Sequence, residues 1–228
     1  MTDPAAALRA IEERIAAACR RAGRDPASVT LVAVSKTIPA GRVRELRDAG
    51  QEVFGENRVQ EALGKIGEVG PPARWHLVGH LQKNKARHAV GAFELIHSVD
   101  DAALAEELDR RAGARGLVQP VLVEVNLASE ESKQGVAAAA LPGLLEAIAG
   151  LPHLALRGLM AIPPAPGDPA ESRPYFTTLA RLRQEGERRL GRALPDLSMG
   201  MSDDFEVAVE EGATMVRVGR ALFGERHP

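Results

Sequence analysis

The amino-acid sequence predicts an α/β protein: a single TIM-type (β/α)8 barrel with an extra N-terminal helix, filling residues 1–228 as one domain. Three observations carry this. Short apolar runs recur eight times, and each is followed by an amphipathic helical stretch. Eight units in 228 residues give about 28 residues apiece, the size of a strand with its crossover helix. No Pro/Gly-rich or polar segment is long enough to separate domains, since Pro163–Pro169 reads as one loop. A doubly wound open sheet is the alternative, but it gives no reason for eight near-equal units, and no G-x-G-x-x-G follows the first strand.

The elements follow in order. Leu8, Ile11, Ile15 and Ala18 or Cys19 stand at helical spacing over 4–22, with Gly23 as the stop and Asp25-Pro26 as a new start. Residues 29–34 are apolar on both faces, as in a strand buried in a parallel sheet. Helix 40–49 leads to strand 51–54, then helix 58–66, strand 75–79, helix 81–90, strand 93–97 and helix 101–112. Strand 120–126, helix 137–149, strand 154–161 and helix 171–190 come next. Strands 196–199 and 214–218 flank helix 203–211, and a short helix at 220–224 closes the pattern.

Composition excludes several classes of function. The balance of 29 basic against 31 acidic residues gives a net charge of −2, so no basic field exists to hold a nucleic-acid backbone. Aromatic residues make up 3%, too few to stack bases. No apolar run is long enough to span a bilayer, and residues 1–10 lack the pattern of a signal peptide. A cytoplasmic location and a monomer are the expectations. The single cysteine, Cys19, permits neither an internal disulfide nor a cysteine zinc site and is read as packing. Only five of the 29 basic residues are lysines (Lys36, Lys65, Lys83, Lys85, Lys133), which reflects base composition and narrows the list of nucleophilic amines.

Barrel active sites lie at the carboxyl ends of the strands, so the polar residues there are the candidates. Lys36 stands just past an apolar strand, where a partly desolvated amine becomes a nucleophile for carbonyls; the competing reading is an ordinary surface lysine. The loops after strands seven and eight are the usual phosphate site of this architecture. Ser202 is placed to cap a helix opening at Asp203, and Gly219 and Arg220 open the last helix with free amides. Asp203 and Asp204 would repel a phosphate and are therefore expected to point away from it. Plain helix capping explains Ser202 as well. A carbonyl-binding lysine beside a phosphate cradle suggests a phosphorylated aldehyde. His76 and His80 invite a metal reading, but the glutamate of H-E-x-x-H is missing and a strand is expected there.

Several sequence blocks in this order resemble the pyridoxal-phosphate-binding homeostasis proteins, single-domain barrels related to the N-terminal domain of alanine racemase. They are VAVSKT (32–37), FGENRVQE (54–61), WHLVGHLQKNK (75–85), IHSVD (96–100), VNLASEESKQG (125–135), RGLMAIPP (157–164) and the stretch 197–224. The resemblance implies pyridoxal 5′-phosphate as cofactor, held as a Schiff base on Lys36. It places Asn57 and His80 along the ring, and Ser198, Ser202, Gly219 and Arg220 at the phosphate. Met199 would pack against the cofactor, and Arg217 would face the pyridine nitrogen. Family members often carry a small hydroxyl residue where Arg220 stands, so the backbone is the contact expected there. Lys133 resembles a secondary lysine on a loop.

A cation beside the ring nitrogen weakens the cofactor as an electron sink. A two-base racemase also needs a tyrosine from a second domain, and the single tyrosine, Tyr175, sits beside Phe176 on the sixth helix of the pattern, where packing is its expected role. No further domain is expected after Pro228. These points imply a protein that buffers or delivers pyridoxal phosphate inside the cell, exchanging it with free amino acids or apo-enzymes. The alternatives are a low-rate amino-acid racemase and a cofactor-free Schiff-base aldolase-type enzyme.

Overall fold

The structure, a computed structural model, describes residues 3–128 and 134–224. It opens with α1 (Pro4–Arg21), whose N-terminus is capped by the Asp3 carboxylate accepting from the Ala5 amide. The apolar face of α1 buries Leu8, Ile11, Ile15 and Cys19. This helix lies outside the ring of strands, tied by Arg14 and Arg21 to Glu206 and Glu210.

Then come β1 (Thr30–Val34), α2 (Ala40–Asp48), β2 (Val53–Glu56), α3 (Val59–Val69), β3 (Arg74–Leu77), α4 (Ala86–Ala89), β4 (Leu95–Val99) and α5 (Ala102–Gly113). The second half holds β5 (Gln119–Asn126), β6 (Val136–Ala137), α6 (Leu141–Ala149), β7 (Leu154–Met160), α7 (Arg173–Leu190), β8 (Asp196–Ser198), α8 (Phe205–Glu210), β9 (Met215–Val218) and α9 (Arg220–Phe223). All strand pairings are parallel, in the order β4-β3-β2-β1-β9-β8-β7-β5. The pairing of β4 with β5 closes the ring, so the barrel is realised and an open sheet is ruled out.

Two-residue alternation divides the core. Val32, Val34, Val53, Leu95, Leu122, Met160 and Met215 form the cluster inside the ring. Their strand neighbours, among them Ala33, Phe54, Val121, Val123 and Leu159, join the larger cluster between strands and helices. On the strands that carry Leu95, Leu122 and Met215, the inward parity continues to His97, Glu124 and Arg217, so the interior turns polar toward the carboxyl ends.

Three expected elements differ. Helix 81–90 shrinks to a 3-10 turn at Lys83–Lys85 followed by four-residue α4, because 82–85 offers only polar side chains and no apolar stripe to seat a full helix. Strand β2 runs to Glu56, two residues beyond the expected end; Gln51 stays outside it, its amide donating to the carbonyls of Leu31 and Val53. Ala137, expected to start a helix, instead pairs with β5 together with Val136. Among the described residues no helix is long and apolar enough to cross a membrane.

Candidate functional site

A cavity of about 170 Å³ opens at the carboxyl ends of β1, β2, β8 and β9. Lys36, Asn57, Ser202, Arg217, Gly219 and Arg220 line it, with Val34, Val78, Ile162, Met201 and Asp203. Six of the nine residues singled out from sequence thus meet in one place, although they span 36 to 220 in the chain.

Lys36 occupies a turn that is pinned on both sides. Before it, the buried Ser35 donates from Oγ to Glu56 Oε1 at 2.6 Å, and its carbonyl accepts from Lys65 Nζ at 2.6 Å. After it, the Thr37 amide donates to Glu61 Oε1 at 2.5 Å, and Thr37 holds a φ of 65°. The Lys65 ammonium also meets Glu56 Oε1 at 2.8 Å and Glu61 Oε1 at 2.7 Å. Glu56 Oε2 is buried without a hydrogen-bond partner. Burial raises the pKa of Glu56, and the bonds from Lys65 and Ser35 offset that only in part. Burial pushes Glu61 the same way, but Lys65 and the Thr37 amide outweigh it and hold its pKa below the usual value. Of the four lysines among the described residues, Lys36 alone lines this cavity; Lys65 is buried behind the strand wall with three acceptors on its amine.

Arg217 reaches the cavity from β9 with its guanidinium buried. Nη1 donates to Ser198 Oγ at 2.6 Å, and Nη2 donates to the Ala161 carbonyl at 2.9 Å. Ser198 Oγ lies 3.0 Å from His97 Nδ1, and His97 Nε2 lies 3.0 Å from His76 Nδ1. Arginine can only donate, so Ser198 Oγ accepts from Arg217, and the two imidazoles extend that contact toward β3. Both imidazoles are neutral: burial pushes His76 down to about 4 and His97 well below its usual value. Burial also lowers the Arg217 pKa to about 10, against the opposing pull of Glu124 and Asp204, which leaves it a cation at neutral pH.

Ser198 therefore stands beneath the cavity as a support for Arg217, away from the lining. Met199 has the strand parity of Leu197, points outward and is fully buried in the outer core; Met201 lines the cavity instead. Helix α8 opens at Phe205, not Asp203, so Ser202 belongs to the preceding turn and caps nothing. The cap position is Asp204, whose carboxylate turns inward to accept from the Met201 amide and the Ser172 hydroxyl, both at 2.7 Å. Asp204 thus avoids the cavity as expected. Asp203 does not, because it lines the cavity and pairs with Arg220. Gly200 is required where it is: φ is 89°, and a Cβ would sit 2.5 Å from that of Ala208. Helix α9 opens at Arg220 with Gly219 as its cap.

His80 faces a neighbouring cleft that shares Asn57 with the first cavity. Its Nδ1 is 3.7 Å from Asp100 Oδ2, and the Gly135 amide donates to that same oxygen at 3.4 Å. Lys133 lies outside the described residues. His76 is buried in the imidazole pair, and among the described residues no group of three or more His, Cys, Asp or Glu could hold a metal. Sequence reading missed Glu56, Lys65, His97 and Glu124. The available signal for Glu56, His97 and Glu124 was a charged or polar residue on an otherwise apolar strand, and for Lys65 its place one turn after Glu61 on α3.

Comparison with known proteins now adds to the geometry. The family model for the N-terminal domain of alanine racemase matches residues 7–227. The chain belongs to this family. Within it, the chain is 48% identical over 220 residues to the pyridoxal phosphate homeostasis protein of Aquifex aeolicus, covering 96% of each. It is 41% identical to the protein of that name from Escherichia coli strain K12, covering 99% of this chain and 98% of that one. Among solved structures, PipY of Synechococcus elongatus with PLP bound superposes at a TM-score of 0.83 and 44% identity, over 94% of this chain and 100% of that one. Alanine racemase of Corynebacterium glutamicum shares the fold at a TM-score of 0.67 and 19% identity, this chain covering 62% of it.

Proposed function

We propose that this family member binds pyridoxal 5′-phosphate in the cavity at β1 and β9, held as a Schiff base on Lys36, and serves its homeostasis by buffering or delivering it. The observation that carries this reading is the convergence of one primary amine, one buried arginine and the Ser202 and Gly219 loops on a single cavity. Those groups fit the cofactor's aldehyde, ring nitrogen and phosphate in turn. When bound, the cofactor supplies an aldehyde carbon that condenses with a primary amine, releasing one water, and returns to the aldehyde on hydrolysis.

The chain's own residues define the rest. Lys36 must be deprotonated to attack, and it does what none of the 24 arginines could, because a guanidinium stays charged. Arg217 presents a buried cation, which disfavours protonation of a pyridine nitrogen beside it and so works against electron withdrawal. Ser202, with the amides at Gly219 and Arg220, supplies phosphate donors. Asn57 flanks the ring. Tyr175 lies on α7 and does not line the cavity, which favours a carrier over a racemase. Free amino acids and apo-enzymes in the cytoplasm are the proposed acceptors.

The test is to record the visible spectrum of the purified protein, reduce it with borohydride and map the modified residue by mass spectrometry. Attachment on Lys36 is expected, with loss of colour in Lys36→Ala. A colourless protein that takes up no added cofactor, or a label on another lysine, overturns the reading. Deuterium entering the α-position of amino acids at an enzyme-like rate would instead identify a racemase.

A further inference from the structure

We infer that Glu56, Lys65 and Glu61 form a positioning device for Lys36, setting the backbone on both sides of the lysine and thereby the place where its amine stands at the cavity. This rests on the reading of Lys36 as the attachment residue. The three side chains come from β2 and α3, and none of them lines the cavity. Yet their hydrogen bonds converge on Ser35 and Thr37, the two neighbours of Lys36: Ser35 through its hydroxyl and its carbonyl, Thr37 through its amide.

Thr37 makes the device necessary. A β-branched residue avoids the left-handed region, and at a φ of 65° Thr37 stays there only because surrounding bonds hold it. The Ile38 amide closes the turn on the Ser35 carbonyl at 3.0 Å, the same oxygen that accepts from Lys65. The backbone of 35–38 is therefore over-determined around one lysine. Packing alone gives no reason for charge here, since a buried ion cluster is a poor stabiliser compared with apolar side chains of equal volume. What it provides is a fixed geometry between strand end and helix. Lys65 answers for its own place: its buried amine is occupied by three acceptors, so it orients the reacting lysine without competing with it.

The experiment uses the full chain freed of cofactor and follows covalent attachment of added pyridoxal 5′-phosphate by stopped-flow absorbance. Pyridoxine 5′-phosphate, which carries an alcohol in place of the aldehyde, reports binding without attachment. Glu61→Ala removes the acceptor of the Thr37 amide at a half-buried site. It is expected to slow attachment roughly ten- to a hundredfold while pyridoxine 5′-phosphate binds as in the wild type. Glu61→Gln, whose amide oxygen still accepts from Thr37, should restore most of the rate. The double variant Glu56→Gln/Lys65→Met removes the two most deeply buried charges together, leaving Glu61 at its part-exposed site, and should be slow like Glu61→Ala. Attachment at the wild-type rate in Glu61→Ala and in the double variant overturns the inference. So does a parallel loss of pyridoxal and pyridoxine phosphate binding, which marks a structural role only. If the wild type itself fails to attach at Lys36, the underlying reading fails, an outcome distinct from either.

Discussion

Glu124 offers a measurable consequence of putting a carboxylate inside the barrel. It lies on β5 with 6% of its surface exposed. Burial, with a smaller push from Asp100, raises its pKa from 4.5 to about 7, against the opposing attraction of Arg217. The folded protein therefore holds this proton more tightly than the unfolded chain, and the contribution to stability falls as pH rises from about 4.5 through 7. The rise from 4.5 to about 7 corresponds to a cost of about 3 kcal/mol for carrying the charge in the fold at pH 8. Glu124→Gln keeps the shape and cannot ionise, so it escapes that cost, although it also gives up the attraction to Arg217. The assay is urea unfolding of the cofactor-free protein and of the variant at several values between pH 4 and 8. The variant should match the wild type near pH 4 and exceed it by about 2–3 kcal/mol at pH 8. The remaining carboxylates are common to both proteins, so the difference reports Glu124 together with its interaction with Asp100. A difference that does not grow with pH, or a variant less stable at pH 8, refutes the reasoning.

Ser198→Ala removes the acceptor of Arg217 Nη1 and is expected to cost about 1–3 kcal/mol; an unchanged urea midpoint would count against the Arg217–Ser198–His97–His76 chain. At Gly79 an added Cβ would meet the Asn57 carbonyl oxygen at 2.5 Å and its Cα at 2.7 Å. Gly79→Ala should therefore destabilise by about 1–3 kcal/mol and weaken cofactor uptake by displacing Asn57; full retention of both places Asn57 outside the site. Asp203→Asn removes an anion from the cavity and releases Arg220, so pyridoxal 5′-phosphate should bind about two- to fivefold more tightly at low salt. That gain should shrink in high salt, and a salt-independent effect would contradict an electrostatic cause.

Much of this molecule was legible one residue at a time. Period-two and period-3.6 patterns are local, so the eight βα units, the leading helix and the burial of Cys19 could be read directly. Because a barrel presents its strand ends on one face, element order singled out Lys36, Ser202, Gly219 and Arg220 before any coordinates, and the family resemblance added Asn57 and Arg217. The same arithmetic carried to strand parity would have turned Met199 outward. The start of α8 was misplaced because Ser202 and Asp204 are equally good caps by type; Asp204 takes the position, its carboxylate accepting from the Met201 amide and from the Ser172 hydroxyl 32 residues upstream.

The sequence by itself thus determined the architecture and the chemistry on offer at the strand ends, since both follow from local periodicity and residue type. Only the tertiary structure decided which groups meet. It closed the ring through β4 and β5. It also linked Arg217 to His97 across the interior and set Glu56, Lys65 and Glu61 on the two neighbours of Lys36. Those pairings depend on distances in space between residues far apart in the chain, or on opposite faces of a strand and a helix, and no local pattern encodes them.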